Sequence, residues 1–267
     1  MLRNMALASL KSRMMGAVPL GNGKGKVIVA GMPKSGTTAI ASLLASAAGV
    51  QVCSDPFYQL DKKGVDFRRA LFSSELSLER LWREHRDVFR GTVVKDPNFP
   101  LFLGELKHLL PEAGFVFIVR EPLDNIRSIL NRLEVPGDPE KGVCHLENAR
   151  GAWNLLLKGI SPDMPGKNYL EKIAWRWRVS AEHYLNNREG VRLIRYEDFR
   201  EEKVGQIKIL AGDLGFQRLK DISSLVDVQF QPKGKQPSSF EEFFGKENLE
   251  QIETIVGPLR ETFGYEK

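Results

Sequence analysis

Four short apolar runs recur along the chain, and each is followed by a longer stretch in which apolar residues return every three or four positions. Residues 26–31, Lys-Val-Ile-Val-Ala-Gly, are largely β-branched and stop at a glycine, and thirteen residues of helix-compatible Ala, Leu and Ser follow from Thr37. This reads as strand, loop, helix. Comparable runs stand at 91–94, 114–119 and 191–194. Between them the spacing predicts helices over 77–89, 100–110, 122–133, 145–158, 169–187, 200–214 and 247–262, most with Gly or Pro near an end. Alternation of this kind predicts an α/β fold, a three-layer parallel sheet flanked by helices. Two Pro-bearing stretches, 134–142 and 161–168, read as surface loops or as lids over a substrate.

Composition narrows the class. The chain has 267 residues, 42% hydrophobic and 27% charged, enough for one packed core with or without a small appendage, which excludes a disordered tail protein. The longest apolar runs are five or six residues, far below the roughly 18 to 20 needed to span a bilayer. Cys53 and Cys144 are too few for a disulfide framework or a four-cysteine zinc site, and point to a reducing compartment, the cytoplasm. The net charge is 39 − 34 = +5, but residues 1–26 hold Arg3, Lys11, Arg13, Lys24 and Lys26 with no acid, so the remainder carries 34 charges of each sign. A nucleic-acid module is therefore disfavoured. Residues 1–25 read as a basic flexible leader, similar in composition to an organelle transit peptide, and 26–267 as a single domain.

Two motifs carry chemistry. Gly31-Met-Pro-Lys-Ser-Gly36-Thr-Thr38 lies between a buried strand and a helix N-terminus, where free N–H groups and the helix dipole attract anions. The G-x-x-x-x-G spacing is that of a nucleotide loop, but Thr37 replaces the usual lysine and the only lysine, Lys34, lies inside the loop. Lys34 at the crown reaches a bridging oxygen, and the amides of Ser35 to Thr38 hold flanking ones. The second motif follows the strand at 114–119. A nucleoside triphosphatase needs an Asp at such a strand end to help hold Mg²⁺, and Arg120 stands there instead. A guanidinium repels a metal ion and pairs in a forked geometry with phosphate. Pro122 opens the following helix, and Arg120 with Ser128 can clasp one phosphate. No metal is expected.

Pro33 to Thr38, together with Arg120-Glu-Pro122 and a serine eight residues after the arginine, resemble the P-K-S-G-T-T and R-x-P…S motifs of sulfotransferases that use 3′-phosphoadenosine 5′-phosphosulfate (PAPS). Agreement continues through Val93-Val-Lys95-Asp-Pro97, Leu193-Ile-Arg-Tyr196-Glu-Asp198 and Phe263-Gly264-Tyr265, over about residues 26–265. The resemblance implies a sulfotransferase-like, phosphate-loop fold, with Pro33, Lys34, Ser35, Gly36, Thr37 and Thr38 on the 5′-phosphosulfate, and Arg120 and Ser128 on the 3′-phosphate. Many members stack a Trp after the second Thr on the adenine. Ala39 stands here, and Tyr196 becomes the stacking candidate. Soluble members end with Arg-Lys-Gly near the 3′-phosphate, and Pro232-Lys233-Gly234 makes Lys233 and Gly234 further ligands.

Sulfuryl transfer is expected to proceed in line, with Lys34 neutralising the leaving phosphate and Lys95 facing the same anion from the neighbouring strand end. A hydroxyl acceptor needs a base. Soluble relatives use a His two residues after the lysine, but Pro97 stands here. Carbohydrate-type and bacterial relatives use a carboxylate after the first helix, which selects Asp55, then Asp96, then His145. Apolar Phe57 and Phe99 would raise the pKa of Asp55. Trp177, with Ile173, Ala181 and Tyr184, reads as core, and His85, His108 and His183 as surface or capping residues. The acceptor is a small molecule or carbohydrate carrying a hydroxyl or amine, and the protein a monomer or homodimer. The competing readings are a phosphate-loop nucleotide kinase and a non-catalytic adenosine bisphosphate-binding protein.

Overall fold

The structure, a computed structural model, describes residues 25–141, 153, 156–157, 165–227 and 239–265. Among these, five strands form one sheet in the order β2-β3-β1-β4-β5: β1 (Val27–Gly31), β2 (Val52–Ser54), β3 (Val93–Asp96), β4 (Gly114–Val119) and β5 (Val191–Arg195). All pairings are parallel, as expected. Central β1 places Val29 opposite Lys95 on one side and Val116 on the other.

Helices cover both faces, which is why β1 is apolar at every position. The two-residue side-chain period sends Val27 and Val29 to one layer and Ile28 and Ala30 to the other. The first layer is filled by α1 (Thr37–Ala48), which follows β1, and later by α9 (Lys203–Asp213). The second layer is larger. It takes α2 (Pro56–Lys62), α3 (Arg68–Phe72) and α4 (Leu78–Glu84) before β3, then α5 (Leu103–Leu109) and α6 (Pro122–Leu133) around β4, and α7 (Tyr169–Asn187) before β5. After β5 come α8 (Tyr196–Glu201), and towards the C-terminus α10 (Phe240–Phe244) and α11 (Lys246–Arg260), the latter packed on α7.

Several elements depart from expectation: the helix expected at 77–89 ends at Glu84, and α2, α3 and α10 were not expected. The edge strand β2 has only three residues with exposed Val52, so no apolar run announces it. The strand expected at 91–94 occupies Val93–Asp96, because Gly91 turns at φ 121° and the polar Lys95 and Asp96 complete the ladder. The helix expected at 100–110 opens as a 3₁₀ turn, Phe99–Phe102, before α5. The one expected at 200–214 breaks into α8 and α9 at Glu202, whose φ of −137° is not helical. The helix expected at 145–158 lies outside the described residues apart from Trp153, Leu156 and Leu157, which are helical.

Of the expected site residues that are described, Lys95 and Asp96 end β3, Ser128 lies within α6, and the others follow the carboxyl end of β1, β2, β4 or β5. Gly31 makes that arrangement possible between β1 and α1. A Cβ there would stand 2.7 Å from the Thr37 methyl and 2.8 Å from the Ile118 carbonyl oxygen, one of them backbone of the neighbouring strand. Gly31→Ala is expected to cost about 1–3 kcal/mol through overpacking, read as a lower midpoint in denaturant unfolding.

Candidate functional site

The loop from Met32 to Gly36 is shaped by three successive carbonyls that are turned into the protein. The Met32 carbonyl accepts from Ser35 Oγ at 2.6 Å and from the Ser35 N–H at 3.2 Å. Asn125 Nδ2 on α6 donates to the Pro33 carbonyl at 2.9 Å, and Arg120 Nη1 donates to the Lys34 carbonyl at 2.8 Å. Lys34 at φ 67° and Gly36 at φ 83° are both left-handed, which for lysine is a strained conformation held by these contacts. Ser35, expected among the phosphate ligands, is fully buried, and its N–H and hydroxyl both donate to the Met32 carbonyl. Thr37 is buried against Gly31, while Pro33, Lys34, Gly36 and Thr38 are partly exposed.

Helix α1 begins without a cap of its own. Its N-cap is Gly36, no side chain accepts a hydrogen bond there, and no acidic residue occupies its first turn. Four other helices differ: Ser77 caps α4, Glu121 caps α6, Asn168 caps α7 and Ser239 caps α10, each accepting from a backbone N–H. The open N-terminus of α1 presents backbone N–H groups and the positive end of the helix dipole, an arrangement that favours negative charge. Cations flank it. Burial, then repulsion from Arg120 and Arg132, hold the Lys34 ammonium below the ordinary lysine range. An anion between these groups relieves both penalties.

Arg120 follows β4 directly. Its guanidinium lies over the Tyr196 ring at 4.7 Å, its carbonyl accepts from Trp177 Nε1 at 3.0 Å, and its buried Nε has no partner. An unpartnered buried donor costs about 1–3 kcal/mol. Tyr196 also covers Gly36, where a Cβ would stand only 2.5 Å from the ring. Its ring, the expected adenine-stacking candidate, thus packs against both Gly36 and the Arg120 guanidinium. Ser128 is partly buried on α6, two turns from Pro122.

The carboxylates divide their roles. Asp96 is 1% exposed and fully engaged: Oδ2 accepts from the Phe57 N–H at 3.0 Å, and Oδ1 from Asn98 N and Nδ2 at 2.9 and 2.8 Å. It caps α2 from a neighbouring strand. Burial, then the Asp55 charge, push its carboxyl above the usual range. Asp96, expected as the second-choice base, thus has both oxygens engaged and almost no exposed surface. Asp55, at the N-cap of α2 but with φ 54° and no capping bond, instead accepts from Lys95 Nζ at 2.9 Å. Its side chain is 37% exposed against 3% for Lys95. Lys95 thus faces Asp55, where the sequence had it facing the anion. The apolar surround expected at Asp55 falls elsewhere: Phe57 and Phe99 pack edge to face at 5.8 Å in the core beside Asp96.

Several contributors were not legible in the sequence. Helix α7 ties three strand ends together: Ser180 Oγ contacts Met32 Sδ at 3.4 Å, Trp177 holds Arg120, and Arg176 donates to the Pro97 carbonyl at 3.3 Å and to Asn98 Oδ1 at 3.0 Å. Burial lowers the Arg176 guanidinium to about 10. Trp177 is core, as expected, and is also an anchor. Glu121 N donates to Glu197 Oε1 at 3.0 Å, Glu197 Oε2 accepts from Tyr265 at 2.8 Å, and Arg260 pairs with Glu121 at 3.1 Å. Lys233, Gly234, His145 and Cys144 lie outside the described residues. No helix among the described residues is long and apolar enough to cross a membrane, and none of their His, Cys, Asp and Glu side chains gather in threes as a metal site would require.

No family model matches the chain, and no curated protein does. Solved structures do. Sulfotransferase STF9 from Mycobacterium avium superposes with a TM-score of 0.55 at 14% identity, covering 93% of this chain and 78% of that one. Sulfotransferase STF1 from Mycobacterium tuberculosis gives 0.50 at 13% identity, covering 88% and 77%. At these identities the likeness is one of fold.

Asp96→Asn leaves one oxygen for three N–H donors, setting its amide nitrogen against at least the Phe57 N–H, and is expected to cost about 1–3 kcal/mol of stability, measured by denaturant unfolding. An unchanged unfolding midpoint contradicts the capping role.

Proposed function

We propose that the protein is a sulfotransferase that moves a sulfuryl group from PAPS to a hydroxyl or amine of a small-molecule or carbohydrate acceptor. The observation that carries this is the uncapped N-terminus of α1 flanked by Lys34 and by Arg120, whose buried Nε lacks a partner. An arginine after β4, where a Mg²⁺-dependent phosphate-loop enzyme needs a carboxylate, supports a doubly anionic nucleotide bound through lysine and guanidinium. The shared fold of the two mycobacterial sulfotransferases supports the same reading.

In this reading the first-turn N–H groups of α1 hold oxygens of the 5′-phosphosulfate. Lys34 neutralises charge that develops on the leaving phosphate oxygen, and Arg120 with Ser128 holds the 3′-phosphate. Asp55 is the general base: it is the carboxylate at this edge with solvent access, and Lys95 fixes its orientation from below. Loss of one preorganised donor typically costs about 10²- to 10³-fold in rate.

Calorimetric titration is the direct test. Adenosine 3′,5′-bisphosphate should bind without metal and more tightly than ATP with Mg²⁺; the reverse order sinks the proposal. Lys34→Ala should lower sulfuryl transfer by about 10²-fold or more. Asp55→Asn should retain bisphosphate binding and lose about 10²- to 10⁴-fold in turnover, and undiminished turnover removes Asp55 from the mechanism.

pH gives an independent check. Lys34 binds an anion only when protonated, and its pKa in the free protein is lowered. Bisphosphate affinity should therefore fall as pH rises through that lowered pKa, earlier than an ordinary lysine allows. Lys34→Arg, charged throughout, should flatten this alkaline limb.

A further inference from the structure

We infer that Asn125 is a positioning residue for the anion loop, one that sets the direction of the Pro33–Lys34 peptide and so of the Lys34 N–H and side chain. The inference rests on the nucleotide-binding reading above and adds a component that neither motif contains.

The geometry is specific to one peptide. In a trans peptide the carbonyl and the following N–H point to opposite sides. Asn125 is 0% exposed on α6 and donates to the Pro33 carbonyl at 2.9 Å, so that carbonyl faces the protein interior. The Lys34 N–H consequently faces away from α6, to the outer side of the loop. Pro33 itself has no N–H, so this peptide is the first in the loop crown with a donor to offer. Arg120 fixes the next carbonyl in the same sense at 2.8 Å.

Strain explains why a clamp is needed. Lys34 has φ 67°, a region that non-glycine residues avoid. Rotating the Pro33–Lys34 peptide would return Lys34 to negative φ and swing the Pro33 carbonyl outward. A carbonyl oxygen there would repel the anion that the N–H attracts. Asn125 opposes that rotation with a directional bond.

The other half of the same amide argues against a purely structural role. Asn125 Oδ1 is buried and has no partner. A site selected for stability alone would carry an apolar side chain or a fully satisfied amide. Here the amide orientation is dictated by the Pro33 carbonyl, at the expense of the Oδ1.

The test uses adenosine 3′,5′-bisphosphate as the probe and isothermal titration as the readout. Asn125→Asp keeps the shape. Its protonated form donates to the Pro33 carbonyl as the amide does, and its ionised form repels that carbonyl. Complete burial raises such a carboxyl above its usual range, so the ionised form grows in only as pH rises. Affinity of this variant should match the wild type at the acid end and fall about 10- to 100-fold as pH rises, the equivalent of one charge-assisted hydrogen bond. The charged groups nearest to it, Lys34 and Arg120 by the loop and Glu121, Asp124 and Arg127 on α6, are common to both proteins, so the wild-type curve is the control. Asn125→Leu should show the weaker affinity at every pH, and if it fails to fold, the Asn125→Asp profile still decides. A purely structural role would instead lower the unfolding midpoint with no new pH dependence in affinity. Asn125→Asp curves that overlay the wild type throughout overturn the inference. Absence of bisphosphate binding by the wild type ends the nucleotide reading itself, and is read before any variant is made.

Discussion

A helix N-terminus without an acidic cap is the constraint around which the rest of this molecule is arranged. Four backbone N–H groups at the start of a helix need partners, and α1 has none from its own side chains. The loop before it removes the competing acceptors by turning the carbonyls of Met32, Pro33 and Lys34 into the protein. What remains at the surface is a concentration of donors and positive charge, and that is what an anionic ligand complements.

Keeping the arrangement open is destabilising, and the destabilisation is visible. Arg120 Nε, Asn125 Oδ1, Arg176 Nε and Arg68 Nη1 are buried without partners. Each costs about 1–3 kcal/mol. Arg120, Asn125 and Arg176 each bond to a loop that follows a strand, through Lys34, Pro33 and Pro97. The surrounding framework offsets them: Trp177, Arg176 and Ser180 on one face of α7 hold three strand-end turns in fixed relation. The C-terminal segment adds a second brace, because Tyr265 holds Glu197 and Glu197 holds the N–H of the residue after Arg120.

The two neighbouring aspartates show how tertiary contacts separate identical side chains. Asp96 takes three hydrogen bonds and caps α2, the helix that Asp55 precedes. Relieved of capping, Asp55 turns to the Lys95 ammonium and keeps part of its surface open. One carboxylate is buried in the framework while the other keeps access to solvent.

Sequence alone determined the layers and the anion loop. Buried parallel strands must be apolar on both faces, so Val27–Gly31 and Gly114–Val119 announce themselves, and a glycine-bounded loop between such a strand and an Ala-rich helix has few other uses. The α6 and α7 boundaries followed from the same local periodicity. Sequence could not assign Ser35, Asp96 or Asn125. The bond from the Ser35 hydroxyl to Met32, the three N–H donors that converge on Asp96 and the contact of Asn125 with Pro33 are not announced by any of these residues' local sequence. Separations of 92 residues for Asn125 to Pro33 and 39 for Asp96 to Phe57 put these partners beyond any local pattern. Hydrogen bonds are directional and short-ranged, so which donor meets which acceptor is fixed only when the chain has closed on itself.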